Sequence, residues 1–199
     1  MTDHPEQPGE SFPERWTAAT VYLDMWVNPD EDPRDSGTEL VDERSTLVEY
    51  LRRYRLTLEM KCSGLDAEQM ARRSVPPSNM SLLGLVRHLA DDERHWFRRV
   101  MAGEDAPARY RTATDRDADF NGARANPQDV AEAWASWRDE RAFAERLVAQ
   151  TPDLATAGHM PDGSPIQLRV VLVHRIEEYA RHCGHADLIR ERIDGRVGQ

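Results

Sequence analysis

Leu168–Arg192, LRVVLVHRIEEYARHCGHADLIRER, decides how the rest of this chain is read. It contains no proline, and its apolar residues recur at helical spacing. Within it His174, Glu178, His182 and His185 follow one another at steps of four, four and three. Residues three and four apart stack on one face of a helix, so three imidazoles and a carboxylate share a single stripe. One helix can offer an ion two ligands at i and i+4 but cannot wrap around it. A third ligand has to come from another element.

Working outward, the best donor of that ligand is His88. It sits in a second helical pattern, about Ser81 to Met101, whose apolar stripe is Leu82, Leu85, Val86, Leu89, Trp96, Phe97 and Val100, with Gly103 as the stop. His88 lies next to that stripe, with Asp92 at i+4 and His95 at i+7. Two helices facing each other across a bundle core can bring His88, Glu178 and His182 to one point. Such a trio suits zinc or another divalent first-row metal and leaves positions open for water or substrate. The plainer alternative is that the histidines are satisfied boundary residues and that Glu178 pairs with Arg175 or Arg181 on the helix surface. His174 and His185 could be further ligands, partners that orient the ligands, or solvated groups, and Asp92 is a candidate for the orienting role. Cys183 follows His182 directly and so points about 100° away around the helix.

Two further long helices are expected. The first runs from about Val41 to Ser63 through Leu47, Tyr50, Leu51, Tyr54, Leu58 and Cys62, with Gly64 behind it. The third opens at Asn126-Pro127, a cap followed by proline at the first helical position, and runs to about Gln150 through Val130, Ala133, Trp134, Trp137, Phe143 and Leu147. A short helix is expected at Asp66–Arg73, and Pro161–Ser164 has the chemistry of a hairpin tip. Helices of roughly 20–25 residues span about 30–37 Å and suit a four-helix bundle. The fold class is therefore all-α. Glu104–Ala125 reads as a connection without a sustained period, long enough to carry the chain back along a helix, so that helices two and three run parallel.

The division expected is an N-terminal extension over 1–40, partly flexible, and a bundle over 41–195. Met1–Glu14 is polar and should lack fixed structure, Arg15–Val27 is an aromatic-rich strap, and Asn28–Thr38 is a linker. The net charge is −10, which argues against a nucleic-acid partner. No run reaches the roughly 20 apolar residues of a membrane span, and the start lacks a signal-peptide layout, so the expected location is cytoplasmic, with no membrane partner. Cys62 and Cys183 are too few for a disulfide framework. Arg87, Arg94, Arg98, Arg175 and Arg181 could hold an anionic substrate or cosubstrate, with solvated helix surface as their default role, and Trp96, Trp134 and Trp137 are read as core aromatics ahead of a substrate wall.

The strings SLLGLVRHLADDERHWFRRVMAGE and LVHRIEEYARHCGHADLIRERIDG, with DERSTLVEYLRRYR and VPPSNMSLLGL, resemble the DinB-like four-helix-bundle superfamily, in particular a branch from mycothiol-using bacteria related to the mycothiol-dependent maleylpyruvate isomerase. The likeness covers about Val41 to Gly195. It implies an up-down-down-up bundle and assigns the metal ligands to His88, Glu178 and His182, with a carboxylate where many members have a third histidine. It also implies a small-molecule substrate, a low-molecular-weight thiol cosubstrate of the mycothiol type and S-transferase or isomerase chemistry. Zinc is the first choice of metal, ahead of nickel, iron or manganese, and a homodimer is a common assembly. A metal hydrolase using water and a non-catalytic metal-binding stress-response bundle are the alternatives.

Overall fold

The structure is a computed structural model that describes residues 12–199. The expectation that the first residues lack fixed structure lies largely outside that range. Eight elements carry the fold: α1 (Glu43–Cys62), α2 (Ala67–Ala71), α3 (Leu82–Glu93), α4 (Ala118–Asn121), α5 (Pro127–Gln150), β1 (Ala157–His159), β2 (Pro165–Gln167) and α6 (Leu168–Asp194). The long helices begin within two residues of their expected starts. Asp42 and Ser45 form a capping box on α1, Ser81 accepts from the Gly84 N–H at the start of α3, and Asn126 with Pro127 opens α5. α6 ends on Gly195, whose φ of 80° is open to glycine at little cost.

Side-chain pairs set the direction of each helix. Glu43 meets Arg169 at the start of α1 and α6, and Arg190 donates to the Lys61 and Ser63 carbonyls at their ends, so these two helices run parallel. Arg44 donates to the Val148 and Thr151 carbonyls, and Glu59 faces Arg141, so α5 runs against α1. Ser74, just before α3, bonds the Ile189 carbonyl while Asp92 reaches back to Arg175, so α3 runs against α6. The result is an all-α bundle in up-down-down-up order, with residues 102–126 as the crossover from the second long helix to the third. β1 and β2 form a small antiparallel hairpin around the Pro161–Ser164 turn. No described helix is long and apolar enough to cross a membrane.

Three findings refine or depart from the sequence reading. The second long helix is α-helical only to Glu93, and Arg94–Met101 continues it as a π-helix. Such widened turns cost hydrogen-bond geometry and are held by tertiary contacts. Here Arg94 and Arg98 both reach the buried Glu140 of α5, at 2.8 and 2.5 Å. The second is where the strap at Arg15–Val27 docks, which is against the C-terminal tail. Trp16 exchanges backbone hydrogen bonds with Gly195 and Val197, and Trp26 is buried with the Arg196 guanidinium 3.9 Å above its ring. The linker, third, is ordered into turns at Pro29–Glu31 and Pro33–Ser36.

Candidate metal centre

The centre lies in the seam between α3 and α6, with the crossover closing one side. Leu85, Val86 and Leu89 are fully buried and fix the rotation of α3 that turns His88 toward α6. Val171, Leu172, Tyr179, Cys183 and Ala186 do the same for α6 and turn Glu178 and His182 toward α3. One ligand atom from each of His88, Glu178 and His182 lies within 4.8 Å of the other two. His182 Nε2 stands 3.4 Å from Glu178 Oε2, and the rings of His88 and His182 meet edge to face with centroids 4.7 Å apart.

His88 is oriented by a residue that sequence reasoning missed. Its Nδ1 donates to Asp119 Oδ2 at 2.8 Å, which leaves Nε2 free. Asp119 belongs to α4, inside the stretch read as an unstructured connection, and is itself buried. The crossover is pinned in place by Asp91, whose carboxylate accepts the successive backbone N–H groups of Arg109, Tyr110 and Arg111. Phe120 anchors its far end, with its ring 5.3 Å from that of His88. Gly84 makes this packing possible, because a Cβ there would come within 2.6 Å of the Phe120 ring. Two aromatic residues in a polar connection, Tyr110 and Phe120, were the available signal that this stretch docks.

The other expected neighbours are all nearby. His185 Nδ1 lies 3.3 Å from His182 Nδ1, a hydrogen bond that leaves His182 Nε2 on the Glu178 side. His174 Nε2 is 4.0 Å from Glu178 Oε1 and edge-on to Trp96. Asp92 Oδ2 is 3.6 Å from His88 Nε2 and also takes a hydrogen bond from Arg175. The charged neighbours of Glu178 are therefore the two histidines and not the arginines of the plainer reading. Burial, with His88 and His185 alongside, holds the His182 pKa down at about 3, so its imidazole is neutral and able to donate a lone pair at ordinary pH.

Two expectations about flanking residues need correction or gain a cause. Arg175 is not solvated surface: it is fully buried, and Arg94 and Arg98 are tied to Glu140. Surface spacing misled because the core of this bundle contains ion pairs, and arginine is the residue suited to enter them. Cys183 is buried, donates weakly to the Tyr54 carbonyl at 3.6 Å, and has its thiol pushed up to about 12 by burial and by Asp187. A thiol kept protonated in this way is a poor nucleophile.

The residues present fit a divalent cation. Two imidazoles and one carboxylate offer ligand atoms within 4.8 Å of one another, and each imidazole has a partner at its other nitrogen. Fold and site together define an up-down-down-up helical bundle with a His, Glu and His cluster between its second and last long helices. The chain belongs to the mycothiol-S-transferase family, which it matches over residues 46–195, and so to the DinB-like superfamily. No individual curated protein matches it.

Proposed function

We propose that the protein is a divalent-metal-dependent S-transferase that joins a small thiol of the mycothiol type to an electrophilic small molecule. His88, Glu178 and His182 hold the metal, zinc by preference. The observation that carries this reading is the convergence of these three side chains from two helices in a chain of the mycothiol-S-transferase family. A divalent cation bound there stabilises thiolate over thiol and so raises the concentration of the nucleophile at neutral pH. The protein's own groups do the rest. Asp119 fixes the His88 tautomer, His185 holds His182 Nδ1, and the low basicity of His182 keeps protons from competing for its lone pair. The crossover covers one side of the seam and limits access by water.

The test is elemental analysis of protein purified without chelators or a metal-affinity tag, alongside Glu178→Ala, with mycothiol consumption followed by mass detection of the S-conjugate. Near-stoichiometric metal in the wild type, its loss in the variant and thiol-dependent conjugate formation are expected. Metal-free wild type that also fails to bind added zinc, or hydrolysis of the electrophile without an adduct, would sink the proposal.

A further inference from the structure

Arg175 has a fully buried side chain and carries a full charge, yet its Nε and Nη2 have no hydrogen-bond partner among the described residues. Its Nη1 alone is engaged, donating to Asp92 Oδ2 at 3.2 Å. An unpaired donor on a buried cation is costly, and an apolar side chain of similar length would suit this helix position better. What Arg175 does in return is hold Asp92. The other oxygen of that carboxylate is gripped by Arg111, which comes from the crossover and also faces Asp119 at 3.3 Å. The Asp92 carboxylate thus sits between two guanidinium groups, one of them fully buried.

Asp92 Oδ2 stands 3.6 Å from His88 Nε2, the nitrogen left free by Asp119. Asp92 is not part of the set whose ligand atoms all lie within 4.8 Å of one another. Swinging it inward to join that set would pull it off both guanidinium groups and leave Arg175 buried with no hydrogen-bond partner among the described residues. The carboxylate is thus fixed beside the centre and held out of it.

We propose that Asp92 is a positioning residue at the edge of the metal centre: a fixed anionic acceptor, outside the coordination shell, that selects what enters beside His88. A neutral molecule carrying an S–H or O–H is admitted with its proton directed at Asp92 Oδ2, and a small anion is disfavoured by repulsion. The inference rests on the reading of His88, Glu178 and His182 as a metal site, and it adds a chemical rule for the open position.

The experiment uses full-length protein loaded with cobalt(II), titrated with azide and followed by visible absorption, for the wild type, Asp92→Asn and Asp92→Ser. Asparagine keeps an oxygen for Arg175, and serine guards against an effect of the new amide. Both neutral variants are expected to bind cobalt within about tenfold of the wild type, the span of an outer-shell change. Both should bind azide roughly five- to tenfold more tightly, because a nearby negative charge, partly offset by two arginines, has been removed. Unchanged azide affinity in both variants overturns the proposal. A loss of cobalt affinity beyond about a hundredfold makes Asp92 a direct ligand and overturns it too. Wild-type protein that binds no cobalt tightly brings down the metal-site reading itself, an outcome separate from the other two.

Discussion

The bundle has two seams of opposite character. Between α3 and α6 the gap is polar, and its titratable groups are paired: His88 with Asp119, His182 with His185 and Glu178, Asp92 with Arg175 and Arg111. Between α1 and α5 the helices stand apart over an apolar cleft of about 380 Å³, floored by Leu51, Phe97, Ala144 and Leu172. Its charged rim is already paired, Arg52 with Glu49 and Arg44 with the carbonyls that end α5. The wall between the two is a buried chain in which Arg55 pairs with Glu93, Tyr179 donates to Glu93, and Trp137 donates to Tyr179. Tyr179 adjoins Glu178, so one helix turn serves both the wall and the candidate centre. The contrast teaches that the same bundle geometry makes a hole on one side and a chemical site on the other. Which of the two forms depends on whether the facing positions carry groups that need partners.

Four experiments test whether the two seams are independent. The largest effect is expected from Arg55→Ala, which leaves the buried Glu93 side chain without its bidentate partner and should cost about 3–5 kcal/mol of stability. Urea denaturation measures it, and a cost under about 1 kcal/mol would mean the wall is no structural divide. Next comes Asp119→Ala. Loss of the hydrogen bond that orients His88 should weaken zinc binding about 10- to 100-fold, read by competition with a chromogenic chelator. Unaltered affinity would show that the crossover contributes nothing to the polar seam.

A third test uses pH on metal-free protein. The His182 pKa is lowered from 6.5 to about 3, so between those values the unfolded chain binds a proton that the folded chain does not. Stability from this residue is complete above pH 6.5 and falls on acidification toward 3, by up to about 1.4 kcal/mol per pH unit. His182→Gln should flatten that part of the stability profile, and an equally steep profile in the variant would assign the dependence elsewhere. The smallest effect belongs to the apolar seam. Ala149→Leu, at the cleft, should stabilise the protein by about 0.5–1 kcal/mol and leave zinc affinity unchanged. A shift in zinc affinity would join the two seams through the wall.

Much of this was legible in the residues. Helix positions, caps and the hairpin tip followed from local patterns, because each depends on contacts within a few residues. The meeting of His88 with Glu178 and His182 was legible too, since each sits beside an apolar stripe that must face the core. Asp119 was not, because a four-residue helix in a polar connection has no period to detect. Arg175 was misplaced for a different reason. An arginine between helix turns looks solvated unless its partner is known, and Asp92 lies 83 residues away.

By itself the sequence determined that this chain is an all-α bundle of four long helices and that three potential metal-binding side chains could converge between the second and the last. Those are consequences of helical periodicity and of burying apolar stripes. The tertiary structure alone decided how His88 is oriented, that Asp92 stands beside the centre and outside it, and that the second long helix widens into a π-helix after Glu93. Each of these depends on pairing charged groups far apart in sequence inside a low-dielectric core. No local pattern encodes such pairings, because their energy exists only once the helices have packed.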